Sequence, residues 1–233
     1  MVEGGRRYVR TVSDDGEPGS FVVGEAQVVR LRGGDGVEVV GDLVVAEDAW
    51  AGAVVCHPHP AYGGDRHNAV VDRIFHTLAA AGMTVLRFDF RPGVHGGEQG
   101  EQIDVVAGID RVAAHLGPER PLWLVGYSFG ADIALSVGDE RVAGWVAVAP
   151  PLRFGGEPRP AEGDERPVLV LAAEHDQFSP PERLREVAAA WPDATVTVVP
   201  GADHFLAGAT GHVADEVLAW LGVNGVRPKE EPQ

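Results

Sequence analysis

The segment Leu122-Trp123-Leu124-Val125-Gly126-Tyr127-Ser128-Phe129-Gly130 joins a continuous apolar run to a serine flanked by glycines. A short run with no polar residue suits a strand covered on both faces. Such strands belong to parallel sheets with helices packed above and below. The residues that follow, Phe129 to Val137, have the spacing of a short helix. The G-x-S-x-G pattern around Ser128 therefore falls on a strand-to-helix turn. A turn that tight crowds the residues two before and two after its apex, and glycine removes the clashing Cβ. The helix behind Ser128 offers N–H groups and a positive dipole end to developing negative charge.

The flanking sequence repeats the strand–helix alternation. Strands are expected at Ala53–Cys56, Met83–Phe90, Val142–Ala149, Pro167–Ala172 and Thr195–Val199. Helices are expected at Asn68–Ala81, stopped by Gly82, and at Ile103–Leu116, Pro180–Trp191 and Val213–Leu221. Upstream, Gly24–Arg32 and Val37–Val45 read as a hairpin turning on Gly33-Gly34-Asp35-Gly36. Alternation of this kind implies βαβ crossovers and a mostly parallel central sheet, with the N-terminal hairpin antiparallel at one edge and helices on both faces. Residues 150–167 hold five prolines and no period, so they read as a loop too short for a lid domain. The expected organisation is an N-terminal extension over 1–19, one α/β domain over 20–223 without a sizeable lid, and a disordered tail over 224–233.

A serine hydroxyl needs a base to become a nucleophile, and the base needs an acid to orient it. With a G-x-S-x-G turn, the acid and then the histidine follow the serine along the chain. His204, in the loop after the strand Thr195–Val199, is a better placed base than His175 or His212. Asp176 lies in the loop after the strand Pro167–Ala172, at the sheet end where ligands gather in open α/β sheets. Glu174 is the runner-up, and Asp203, adjacent to His204, reads as a solvated charge. An oxyanion formed at Ser128 would be held by the backbone N–H of Phe129 and by a second N–H from Cys56-His57-Pro58-His59-Pro60. Proline has no N–H, which leaves His59 as the second donor.

The same loop admits a rival reading, because His57, His59, Asp65 and His67 include an H-x-H pair of the kind found in metal sites. No comparable cluster follows downstream, and no metal is expected. Cys56 is the only cysteine and reads as a buried strand-end residue. It cannot form a disulfide within the chain, and it cannot share a face with the adjacent His57 on a strand.

The chain has 233 residues, enough for one domain with a sizeable core. Its 19 basic and 35 acidic residues give a net charge of −16, which disfavours nucleic acid and anionic lipid as partners. The charge also counts modestly against anionic substrates and acidic protein partners. Met1–Ser20 has no apolar run of the signal-peptide type, and no segment has the roughly 20 apolar residues of a membrane span. A cytoplasmic location is the expectation.

Taken together, His57-Pro58-His59-Pro60 with Gly63-Gly64, Arg87-Phe88-Asp89-Phe90-Arg91, the Ser128 turn, Glu174-His175-Asp176 and Gly201-Ala202-Asp203-His204-Phe205 resemble the α/β-hydrolase superfamily. The resemblance covers roughly Gly24 to Gly222 and is nearest to the small, lid-poor dienelactone-hydrolase-like and esterase-like branch. It implies an α/β-hydrolase fold, a Ser-His-Asp triad and no cofactor. Dienelactone hydrolases use cysteine as nucleophile, whereas this chain has Ser128. The expected activity is a serine hydrolase acting on a small ester or thioester, with Tyr62, His95, Tyr127 and Phe178 as candidate pocket residues. The alternatives are a thioesterase or acyltransferase using the same triad, and a non-catalytic binding protein on the same fold.

Overall fold

Alternate residues of the central strands face two different cores. On the strand Leu122–Tyr127, Leu122 and Leu124 enter one buried cluster while Trp123, Val125 and Tyr127 enter the other. On Gly52–Cys56, Val54 and Cys56 join the first cluster, and Ala53 and Val55 join the second. This period of two, with every position apolar or small, is what a sheet sandwiched between helix layers demands. The computed structural model describes residues 8–9, 22–23, 25–93, 99–154 and 159–225.

In chain order, the strands and helices are β1 (Tyr8–Val9), β2 (Val22–Val23), β3 (Gln27–Arg32), β4 (Glu38–Val44), β5 (Gly52–Cys56), α1 (Ala69–Ala80), β6 (Thr84–Phe88), α2 (Gly100–Ala113), β7 (Leu122–Tyr127), α3 (Phe129–Leu135), β8 (Val142–Val148), α4 (Pro160–Gly163), β9 (Val168–Ala173), α5 (Pro181–Ala188), β10 (Ala194–Val199) and α6 (Thr210–Gly225). β1 and β2 form a small antiparallel ribbon. The other eight strands form one sheet in the order β10-β9-β8-β7-β5-β6-β4-β3. β4 runs antiparallel to both β3 and β6, and the remaining pairs are parallel. Helices α1 and α6 cover one face, and α2, α3 and α5 cover the other. The mostly parallel sheet, antiparallel hairpin and two helix layers are those expected from the sequence.

Helix α1 shows how local chemistry sets the ends. Asn68 Oδ1 accepts the Val70 N–H at 3.0 Å, capping the first turn. At the other end Gly82 takes φ 81°, and the N–H groups of Gly82 and Met83 return to the carbonyls of Ala79 and Leu78. That pair of bonds satisfies carbonyls that the helix leaves unpaired.

Three expectations need correction. Helix α2 starts at Gly100 rather than Ile103, because Glu101 and Asp104 are buried and interrupt the apolar period that would mark its first turn. The proline-rich segment 150–167 contains α4, a single turn begun by Pro160 and braced by the 2.7 Å Arg159–Glu162 pair. Helix α6 runs to Gly225, where the helix end lies against Trp50, so Asn224 and Gly225 are helical rather than part of a tail. Residues 226–233, and the expected extension over 1–19 apart from Tyr8–Val9, lie outside the described residues. Among the described residues no helix is long and apolar enough to cross a membrane.

Candidate active site

The turn at Ser128 is held in a conformation that ordinary residues avoid. Ser128 has φ 54° and ψ −120°, and its N–H donates to the Val148 carbonyl on β8 at 2.8 Å. Helix α3 begins at the next residue. A Cβ on Gly126 would lie 2.3 Å from the Gly130 carbonyl oxygen, inside the turn itself. A Cβ on Gly130 would lie 2.5 Å from the carbonyl oxygens of both Cys56 and His57. Gly126 is thus required by the turn, as expected. Gly130 is required instead by the end of β5, which presses against the first turn of α3.

The loops after β7, β9 and β10 bring three side chains into one hydrogen-bonded line. Ser128 Oγ lies 3.0 Å from His204 Nε2, and His204 Nδ1 lies 2.8 Å from Asp176 Oδ2. The other Asp176 oxygen accepts the N–H groups of Phe178 and Ser179 at 2.8 and 3.0 Å. These bonds solvate and orient a carboxylate whose side chain is 0% exposed. The histidine loop is tied to the aspartate loop by the His175 N–H donating to the Ala202 carbonyl. It is tied to the serine strand by the Tyr127 hydroxyl, which donates to the His204 carbonyl at 2.9 Å. Burial, reinforced by the charges of Asp176 and Asp203, pushes the Tyr127 phenol well above its usual range, so Tyr127 stays a neutral donor.

The runner-up residues sit elsewhere. Glu174 is exposed and accepts the Gly201 N–H at 2.6 Å, which braces the histidine loop rather than touching His204. Asp203 is exposed and accepts the Phe205 N–H. His175 and His212 are also exposed.

The loop after β5 forms the opposite wall. His57 is buried, and its Nε2 accepts the Phe90 N–H at 3.0 Å. That bond requires the proton on Nδ1, which donates to the Pro58 carbonyl at 2.6 Å. His59 caps a single 3-10 turn over Pro60–Tyr62, with Nδ1 accepting the Ala61 N–H at 3.1 Å. Two of the four donors of the rival metal reading, His57 and His59, make these bonds. Among the described residues no group of three or more His, Cys, Asp or Glu side chains is placed to hold a metal. Cys56 is fully buried, and burial raises its thiol pKa.

A cavity of about 380 Å³ opens onto Ser128 and His204. His59, Tyr62, Tyr127, Phe129 and Phe178 all line it, whereas His95 lies outside the described residues. Phe178 packs edge-on against His204 with ring centres 4.8 Å apart. Sequence reasoning missed Phe154, Phe205 and Arg153, which also line the cavity. The position of Phe205 next to His204 was a usable signal. Phe154 and Arg153 lie in the aperiodic segment after β8, where nothing marks one residue above another.

With this geometry in place, known proteins supply the family. Residues 51–219 match the family described as the alpha/beta hydrolase domain. Among solved structures, the chain is similar to an alpha-beta serine hydrolase homologue from Coxiella burnetii, with 27% identity and a TM-score of 0.73 over 84% of this chain and 97% of that one. It is also similar to XC6422 from Xanthomonas campestris, described as an a/b serine hydrolase without lid, with 25% identity and a TM-score of 0.73 over 88% and 97%. The uncharacterized protein RP471 of Rickettsia prowazekii is 37% identical over 109 residues, which span 43% of this chain and 45% of that protein. The match covers less than half the length of that curated relative. The length of chain matched by the family, and the sheet order that carries it, place this protein in the alpha/beta hydrolase domain family.

Proposed function

We propose that this hydrolase cleaves carboxylic esters through an acyl-enzyme on Ser128. The observation that carries the reading is the hydrogen-bonded line from Ser128 through His204 to Asp176, ending at an apolar-walled cavity. Ser128 Oγ attacks the acyl carbon and forms the new C–O bond while His204 Nε2 takes the hydroxyl proton. Asp176 fixes the proton on Nδ1 and stabilises the imidazolium that forms. The N–H groups of His59 and Phe129 hold the oxyanion. Collapse of the intermediate breaks the ester C–O bond, and His204 returns its proton to the departing alcohol. Water then attacks the acyl carbon with His204 again as base, which releases the acid and restores Ser128. Every step is carried by side chains, backbone and solvent water. A cavity of about 380 Å³ accommodates a short acyl chain and a modest alcohol rather than a polymer.

The decisive experiment combines fluorophosphonate labelling with hydrolysis of short p-nitrophenyl esters. Ser128 is expected to label, and Ser128→Ala is expected to lose both labelling and at least about a thousandfold in turnover. Full ester hydrolysis by Ser128→Ala rejects the reading. Absence of labelling in the native chain identifies a non-catalytic binding protein instead. Acyl transfer to an added alcohol or thiol in preference to water would assign transferase chemistry to the same serine.

A further inference from the structure

Arg153 is the only Asp, Glu, Lys or Arg among the described residues that line the cavity. It is exposed, and among the described residues no ion pair or side-chain hydrogen bond occupies its guanidinium. Arg66, Arg87, Arg91, Arg141 and Arg166 are each paired with at least one aspartate. Arg32, Arg73, Arg111, Arg120 and Arg183 share with Arg153 the lack of an ion pair among the described residues, but none of them lines the cavity. Arg153 thus places one cation beside an otherwise uncharged, largely apolar cavity lining.

Its position is built rather than incidental. Asp132, one turn into α3 beyond Ser128, is completely buried. Its Oδ1 accepts the Leu152 N–H at 2.9 Å, and its Oδ2 accepts those of Arg153 and Phe154 at 2.7 and 2.9 Å. Three consecutive N–H groups are thus gathered onto one carboxylate. The backbone reaches this arrangement through left-handed residues at Ala149 (φ 45°) and Leu152 (φ 54°), conformations that persist only when the surroundings enforce them. Phe154 then packs against Phe129 and His59, with ring centres 5.2 and 5.5 Å apart. The helix α3 behind Ser128 therefore also fixes the arch that carries Arg153.

We propose that Arg153 selects esters bearing a free carboxylate, such as half-esters of short dicarboxylic acids. This rests on the reading of Ser128 as the nucleophile. A guanidinium presents its donors in a fork that matches a carboxylate bidentately. Physiological saline largely screens charges more than about 8 Å apart, so carboxylates beyond that range weigh little against the guanidinium.

The test compares p-nitrophenyl hydrogen glutarate with its neutral methyl diester. The quantity measured is the ratio of kcat/KM for the half-ester to that for the diester. Arg153→Gln is expected to lower this ratio about tenfold, chiefly through KM, and Arg153→Glu to lower it further. A ratio that moves by less than about twofold overturns the proposal. A second arm does not depend on turnover. Calorimetric titration of Ser128→Ala with monomethyl glutarate is expected to show binding that Arg153→Gln abolishes. Equal binding with and without Arg153, or no binding to either, overturns the proposal. If neither p-nitrophenyl ester is hydrolysed, the ester reading fails, while calorimetry still decides whether Arg153 receives a carboxylate.

Discussion

Asp176 Oδ2 lies 2.8 Å from His204 Nδ1, while its Oδ1 is committed to the N–H groups of Phe178 and Ser179. The carboxylate is therefore polarised in its duties, with one oxygen serving the backbone and the other the imidazole. In Asp176→Asn the remaining carbonyl oxygen stays with the two N–H donors, and the amide NH2 faces Nδ1. Nδ1 must then accept, and the ring proton moves to Nε2, the nitrogen that faces Ser128 Oγ. The ring can no longer receive the serine proton. Turnover of p-nitrophenyl butyrate is expected to fall by about 10³ to 10⁴, with the fold retained by circular dichroism.

Ser128 has φ 54°, a conformation that glycine adopts without strain. Ser128→Gly and Ser128→Ala both remove the hydroxyl, but only glycine relieves the backbone. The glycine variant is expected to be about 1 kcal/mol more stable than the alanine variant in urea unfolding, after allowance for the greater freedom of its unfolded chain. Both are expected to be inactive. Equal midpoints would show that the turn stores no strain.

Gly126 and Gly34 make a matched pair for testing close approach. A Cβ at Gly126 meets the Gly130 carbonyl oxygen at 2.3 Å, whereas a Cβ at Gly34 meets nothing within 4 Å. Gly126→Ala is expected to lower stability by about 3 kcal/mol or more, because backbone rather than a flexible side chain must move. Gly34→Ala is expected to stay within about 0.5 kcal/mol of the native chain. Thermal melts of the two variants side by side check the difference.

Asp132→Asn keeps the shape of the carboxylate but not its two acceptors. Whichever way the amide turns, at least one of the N–H groups of Leu152, Arg153 and Phe154 faces another donor in a buried setting. A loss of about 1–3 kcal/mol in urea unfolding is expected. Loosening of the arch is also expected to lower the half-ester to diester ratio in the same direction as Arg153→Gln. An unchanged ratio would mean that the Arg153 position does not depend on Asp132.

The parts of this molecule that follow from local chemistry were legible in the sequence. The apolar runs of β5 and β7 and the Asn68 and Gly82 punctuation of α1 needed only neighbouring residues to be read. The strand–turn–helix at Ser128, and the later loops holding Asp176 and His204, followed from chain order, and the structure places those side chains within hydrogen-bonding distance. What stayed hidden depends on distant partners. Asp132 looks like any acidic residue in a short helix, and its three donors lie twenty to twenty-two residues downstream. Arg153 lies in a segment with no period, so nothing separates it from an ordinary surface charge. The beginning of α2 was obscured because Asp104 is buried to bind Arg91, and a buried charge is invisible to hydrophobic spacing. The net charge of −16 describes the whole surface and averages away the local setting of one cation beside the cavity.

The contact of Gly130 with the carbonyls of Cys56 and His57 has a consequence for anyone re-engineering this protein. The serine turn and the loop from His57 to Gly64 behave as one cassette. A graft that imports a bulkier residue at position 130 collides with the recipient's strand end. A graft that shifts that strand end opens a gap beneath the serine. Loop libraries built at residues 57–64 should therefore hold the last two residues of the incoming strand and the Gly126–Gly130 turn fixed together, and draw their diversity from Tyr62 and the arch beyond β8.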